Sequence, residues 1–311
     1  MQDSGSGVCR VLGQLDKLTE EEWLTLRRRG IGASEIAGVM RMSPWQSPLS
    51  IYTDKAENIS DYEETLAMEL GKALEGFLKD KFVKWLKKME VNDVTFLPPA
   101  IYQSIGWPFL LATPDGIFNH PEGARGVELK TASEYKRAEW ADDEVPDAYY
   151  LQCQQCMAVT GIDVWYLAYL IGNRKFDVVK IPRNEGVIER IVEAGAEFWH
   201  EHVEKRIPPA PGGLGIDTQV LRTLYPEGEG VIDLPHLEDK YEQIKKLQAE
   251  AKASAELADT LKREIMAVMK DAETAIFGTR EDGKPKRATW RLVKGGPVSF
   301  VRKDSRQFRI Y

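Results

Sequence analysis

Apolar positions along the chain switch between two periods, and the switches lay out the elements. Residues 20–29 and 35 to about 42 read as short helices, separated by Gly30-Ile31-Gly32 and a fresh start at Ser34. Leu66, Leu70, Leu74, Phe77, Phe82 and Trp85 recur at helical spacing and predict one long helix over about 63–88. The pattern turns β-rich from 91 to 103. Segments 110–118 and 126–131 continue it, joined by a loop carrying Asn119, Pro121 and Gly123, so three antiparallel strands are expected. Residues 147 to about 160 predict a helix, 163–171 and 175–181 a hairpin through Gly172-Asn173, and 184 to about 205 a closing amphipathic helix.

"RIPPAPGGLG", residues 206–215, is the clearest linker signal. Beyond it, residues 237–270 form a charged helical stretch with Tyr241, Ile244, Leu247, Ala251, Leu257, Leu261, Ile265 and Val268 as apolar positions. Their spacing drifts, which leaves a helical hairpin and a short intermolecular coil both open. The end of the chain reads as a β-hairpin around Gly295-Gly296-Pro297. The expected organisation is a domain over residues 1–210, a linker over 211–235, and a helix plus basic β-hairpin over 236–311.

Composition narrows the class. A chain of 311 residues, 43% hydrophobic and 29% charged, has the make-up of an ordinary globular protein with a sizeable core. No apolar run approaches the roughly 18 residues of a membrane helix, and MQDSGSGVCR lacks the basic-then-apolar pattern of a signal peptide. A cytoplasmic setting without membrane association is expected. Cys9, Cys153 and Cys156 make no disulfide framework, and the single C-x-x-C has no second pair to complete a four-ligand zinc or iron–sulfur site. A reduced, buried helical pair is expected. The net charge of −7 is uneven: residues 280–311 hold ten basic and three acidic side chains, a balance of +7 that leaves −14 on the rest. A basic tail on an acidic body can grip phosphates locally.

Candidate chemistry sits where the β pattern carries charge. In "LLATPDGIFNHPEGARGVELKTAS", residues 110–133, Glu128 and Lys130 are two apart and share a strand face, while Val127 and Leu129 point to the core. Asp115, between Pro114 and Gly116, falls near the end of the partner strand, where the intervening loop returns it beside Glu128. Two adjacent carboxylates repel and raise each other's pKa unless a cation compensates. A hard divalent ion, magnesium above all, answers that demand. The bland alternative is a salt bridge among Asp115, Glu128 and Lys130 on a wet sheet face. Glu75 on or beside the buried stripe of its helix, and Gln152, Gln154 and Gln155 in an otherwise apolar helix, add buried polar groups that need partners.

A glutamate on a helix, then P-D, then E-x-K, then a glutamine-bearing helix resembles the PD-(D/E)XK nuclease superfamily. In detail the chain resembles the YqaJ-type viral recombinases, the lambda exonuclease group. "EEWLTLRRRGIGASEIAGVM" matches that family's W-x-x-x-R and I-x-A-S-E, "ELGKALEGFL" its G-x-x-x-E helix, "ATPDGI" its P-D-G, "VELKTAS" its E-L-K, and "LQCQQCMAVTG" its L-Q-x-Q helix. The matches run in family order from about residue 23 to about 184, and the last hundred residues match less distinctly.

The resemblance implies an α/β fold: a restriction-endonuclease-like core with a mixed central sheet flanked by helices, plus a C-terminal helical and β-hairpin appendage. It implies Asp115, Glu128, the Leu129 carbonyl and Glu75 as ligands of two magnesium ions, for which manganese can substitute. Lys130 is implied as the catalytic lysine and Gln154 as the glutamine near the scissile phosphate. Arg27, Ser34 and Thr113 are implied as holders of a 5′ phosphate, Ser34 also reading as an N-cap for the helix after it. The expected activity is magnesium-dependent 5′-to-3′ digestion of one strand of linear duplex DNA in a bacterial host, with a single-strand annealing protein as partner and a trimeric ring as the homo-oligomer. A phage-type endonuclease with the same core, and a non-catalytic DNA-binding scaffold using the basic tail, are the competing readings.

Overall fold

The computed structural model describes residues 8–59, 65–143 and 145–295. The chain divides into two compact units, Met1–Leu224 and Tyr225–Tyr311.

In the first unit, β1 (Cys9–Gln14) leads to α1 (Glu20–Arg27). Thr19 and Glu22 open this helix with a reciprocal capping box, satisfying N–H groups that would otherwise lack partners. After β2 (Ile31–Gly32) comes α2 (Ile36–Val39), a single turn rather than the longer helix expected. The next helix, α3 (Pro48–Glu57), had no counterpart in the periodicity. Its start was nonetheless written locally: Ser47 and Ser50 form a second capping box and Pro48 takes the first turn, where a missing N–H costs nothing. The long α4 (Leu66–Lys88) follows, and the expected start of this helix at 63–64 lies outside the described residues. Only its C-terminal half is covered, through Leu78, Phe82 and Leu86, whereas Leu66, Leu70 and Phe77 face solvent.

The run at 110–118 is not one strand. β3 (Ala100–Ser104) pairs antiparallel with β4 (Leu110–Ala112), and β5 (Gly116–Phe118) pairs antiparallel with β6 (Arg125–Ala132) in a different sheet. Thr113-Pro114-Asp115 carries the chain from one sheet to the other. From β6 the chain crosses through α5 (Asp147–Thr160) to β7 (Val164–Ile171), which lies parallel to β6. β8 (Lys175–Pro182) then closes a hairpin on β7, and α6 (Glu185–Glu197) continues into a wider π-type turn at Phe198–Val203. α7 (Gly215–Leu224), within the stretch read as linker, buries Asp217 and Val220.

The result is a mixed α/β fold with mixed sheets flanked by helices, as expected, but built from two four-stranded sheets, β1-β3-β4-β2 and β5-β6-β7-β8. Side chains alternate across the second sheet. Val127, Leu129, Tyr166 and Ala168 pack against α4, while Trp165, Leu167 and Tyr169 join the core that holds α5. Gly126 is required by this packing, because a Cβ there would lie 2.3 Å from the Trp165 ring.

In the second unit, α8 (Glu238–Met269) is one unbroken helix of 32 residues, not a helical hairpin. Leu247, Leu257 and Leu261 on it are exposed. β9 (Thr274–Thr279) and β10 (Pro285–Thr289) form an antiparallel hairpin that the sequence pattern did not announce. The hairpin expected around Gly295-Gly296-Pro297 lies for the most part outside the described residues. No described helix is long and apolar enough to cross a membrane.

Candidate functional site

Two strand ladders bring the acids together. Gly116 lies opposite Val127 in the β5–β6 pair, so extending the register one step sets Asp115 opposite Glu128. Period two turns Val127 and Leu129 toward Leu78 and Phe82 of α4. The Glu128 face meets α5 instead: Gln152 Nε2 donates to Glu128 Oε1 at 2.5 Å, and Lys130 Nζ lies 2.6 Å from the same oxygen. The Lys130 ammonium also sits 5.3 Å from the centre of the Tyr149 ring. Asp115 Oδ2 accepts the Leu129 N–H at 2.7 Å, which fixes its carboxylate at the β6 edge beyond the last β5 pair. The N–H and C=O of one strand residue point to the same side. The Leu129 carbonyl is therefore aimed at that edge as well.

Electrostatics single out Glu128. It is 2% exposed, and its Oε2 has no hydrogen-bond partner among the described residues. Burial first, and the Asp115 carboxylate second, push its carboxyl pKa up; the Lys130 ammonium opposes them and is outweighed. For Lys130 burial works against the charge, yet Glu128 and Asp115 overcome it and hold the ammonium above the usual lysine value. Glu75 is exposed on α4 rather than placed on a buried stripe. Partial desolvation and the Asp115 charge raise its carboxyl pKa nonetheless, with Lys79 opposing. It thus stands within electrostatic range of the acid pair without joining it.

The glutamine helix differs from expectation. Gln154 points away from the acids: its Nε2 donates to the Pro182 carbonyl at 2.9 Å and its Oε1 accepts the Asn184 N–H at 2.9 Å. Gln152, two positions earlier, is the one on Glu128. Gln155 staples α5 to two strands of the first sheet, β2 and β4, donating to the Ile31 and Leu111 carbonyls at 2.8 and 2.9 Å. Cys153 and Cys156 are buried free thiols, and burial raises both well above the ordinary cysteine value.

A second charged cluster lies at the ends of β2 and β4. These strands pair parallel, Gly32 beside Leu111; Ser34 stands in the turn after β2 and Thr113 directly follows β4. Ser34 is exposed and caps nothing, because α2 begins at Ile36 and has no side-chain cap. The nearby backbone N–H of Gly32 donates instead to Glu35 Oε2 at 2.7 Å. Glu35, buried, also receives Arg27 Nη2 at 2.8 Å and Lys55 Nζ at 2.8 Å. Burial works against its charge, but Lys55 and Arg27 prevail and lower the Glu35 pKa to about 2. Neither Glu35 nor Lys55 was singled out from the sequence. Of those that were, Arg27 is bonded to Glu35, Ser34 precedes Glu35 in the same turn, and Thr113 follows β4, the strand paired with β2.

A divalent cation fits the acid pair. Glu128 Oε2 is an orphaned buried acceptor, Asp115 is pinned beside it, and all the donors are hard oxygens. Among the described residues no three His, Cys, Asp or Glu side chains gather as a closed metal cage. Magnesium does not need one, since it is ordinarily held by one or two carboxylates together with water and substrate phosphates.

The family model of the YqaJ-like viral recombinase domain matches residues 22–163. The chain is 31% identical over 300 residues to the uncharacterized protein YqaJ of Bacillus subtilis (strain 168), spanning 92% of this chain and 87% of that protein. Among solved structures, LHK-Exo in complex with dAMP aligns with a TM-score of 0.50 at 19% identity, over 60% of this chain and 94% of that one. A second structure of this alkaline exonuclease, from Laribacter hongkongensis, aligns with a TM-score of 0.48 at 21% identity, over 60% and 94%. The first of these likenesses shows the restriction-endonuclease-like fold.

Proposed function

The chain belongs to the YqaJ-like viral recombinase family, and from that premise we propose that it is a metal-dependent deoxyribonuclease digesting one strand of linear duplex DNA from its 5′ end. One observation carries the reading: a buried glutamate with an unpartnered oxygen, Glu128, is held between a second carboxylate and a lysine. A binding scaffold has no use for that arrangement, which raises the carboxylate pKa and leaves an acceptor unfilled.

Asp115, Glu128 and the Leu129 carbonyl would hold the ions, magnesium by preference with manganese as a substitute, and Glu75 would serve a second ion or its waters. Bound there, the ions supply Lewis-acid polarisation of the phosphodiester and a water of lowered pKa. Lys130, kept cationic by its two acid neighbours, stabilises negative charge developing on the scissile phosphate. Gln152 holds the Glu128 carboxylate in one orientation. Arg27, Ser34 and Thr113 present a guanidinium and two hydroxyls to the terminal phosphate. The annealing-protein partner and ring assembly belong to the same reading, and catalysis is assigned to the unit Met1–Leu224.

Digestion of end-labelled linear duplexes, with and without a 5′ phosphate and with magnesium or EDTA, tests it. Magnesium-dependent, phosphate-stimulated release of label from the 5′ end is expected. Cutting of covalently closed circles would favour the endonuclease, and binding without digestion would favour the scaffold.

A further inference from the structure

An arginine bonded to a buried glutamate is ordinarily a neutralised arginine, which makes Arg27 a poor holder of phosphate on its own. The geometry of Lys55 changes that account. Its side chain has no exposed surface, so it cannot touch a nucleic acid. Its ammonium lies 2.9 Å from Glu35 Oε1 and 2.8 Å from Oε2, and donates to the Arg27 carbonyl at 3.2 Å. Glu35 is thereby shared. Oε1 serves Lys55 and Arg27, while Oε2 serves Lys55 and the Gly32 N–H.

We propose that Lys55 is a positioning residue for the terminal-phosphate corner: by engaging Glu35 from the interior it leaves Arg27 and the turn after β2 able to hold an anion. The inference rests on the functional reading above. Lys55 also lies 3.4 Å from Asp54, which pairs with Arg28 at 3.1 Å, so three cations (Arg27, Arg28, Lys55) meet two carboxylates (Glu35, Asp54) and the cluster keeps one positive charge. That surplus reaches solvent through Arg27 and Arg28, whose side chains are 27% and 23% exposed, and not through Lys55, which has no exposed surface. Of the two arginines, Arg27 is the one whose carboxylate partner also holds the Gly32 N–H of the turn after β2. The guanidinium gives Glu35 only Nη2, and its plane is steadied by the Trp23 ring at 4.9 Å. Without Lys55 the charge count is zero, and Arg27 is drawn into a two-pronged pair with Glu35. Lys55 also holds the Arg27 backbone carbonyl, so it sets the end of α1 as well as the charge.

The test compares digestion rates on 5′-phosphorylated and 5′-hydroxyl duplexes, with thermal melts confirming that each variant is folded. Lys55→Gln is expected to lower the phosphate preference at least about tenfold, the worth of one charged hydrogen bond. The double variant Glu35→Gln/Lys55→Gln restores the single positive charge on Arg27 and is expected to recover most of the preference, which a merely structural role for Lys55 would not produce. A folded Lys55→Gln protein with the wild-type preference, or a folded double variant that stays as poor as the single one, overturns the proposal. If Lys55→Gln does not fold, Lys55→Arg and the double variant carry the test: both keep the charge surplus, so retained preference supports it and loss in either overturns it. Wild-type protein that digests no duplex, or ignores the 5′ phosphate, brings down the functional reading and this inference together. Failure in the variants alone removes only the role of Lys55.

Discussion

Glu35 and Glu128 are both buried glutamates on the same unit, each bonded to a lysine at less than 3 Å, and their surroundings drive them in opposite directions. Glu35 has two cations and a backbone N–H, every bond it needs, and a pKa lowered to about 2. Glu128 has one cation, a neighbouring carboxylate and an empty lone pair, and its pKa is raised. The difference lies in satisfaction, since depth is nearly the same. A cluster whose demands are met inside the protein is a structural and positioning device. On the function proposed here, a cluster left short of positive charge is one that a bound cation would complete.

The sharpest way to break this contrast is Glu128→Gln. Metal-assisted charge stabilisation is worth several kcal/mol, so digestion is expected to fall by ~1,000-fold or more. Duplex affinity by gel shift should persist, and the melting temperature should not drop, because the change removes repulsion with Asp115. Undiminished digestion would dissolve the distinction. Glu35→Ala is the mirror experiment: it leaves the buried Lys55 ammonium with Asp54, at 3.4 Å, as its one remaining carboxylate, and is expected to cost up to about 3–5 kcal/mol in denaturant unfolding. A loss near zero would mean that Glu35 is as expendable to the fold as Glu128.

Acid provides a third comparison. The Glu35 carboxyl is depressed from 4.5 to about 2, so the stability it contributes is fully present above the unfolded value and is lost as pH falls toward the folded one. The stability advantage of wild type over Glu35→Gln should therefore shrink by on the order of 3 kcal/mol as the pH is taken from about 5 to about 2. Parallel curves would show that the ion trio does not govern this carboxyl. The smallest effects separate the glutamines. Gln154→Ala should cost about 1–3 kcal/mol of stability with little change in turnover, since it strips the Pro182 and Asn184 backbone groups of partners. Gln152→Ala should lower turnover by about tenfold with little change in melting.

These outcomes track what could be read from the residue order. The convergence of Asp115, Glu128 and Lys130 was legible because strand period two and a turn-bearing loop determine it. The choice between Gln152 and Gln154 was not, because every residue from Leu151 to Thr160 is buried and such a helix has no polar stripe to orient it. Lys55 and Glu35 meet across 20 positions, and no local spacing marks such a pair. Ser34 has the chemistry of a cap, but α2 starts at Ile36, so the cap position falls on Glu35, whose side chain turns back to the Gly32 N–H instead. The single strand expected at 110–118 failed at Pro114, where the absent N–H and fixed φ favour a break that alternation of apolar residues does not register.

That break has a mechanical consequence. The two charged corners are joined by the covalent chain itself, with Thr113 at one and Asp115 at the other and a proline between them. Their spacing behaves as a ruler rather than a hinge. One residue inserted between Thr113 and Asp115 would turn the aspartate to the wrong side, while the loop at 119–124 could lengthen without disturbing either corner.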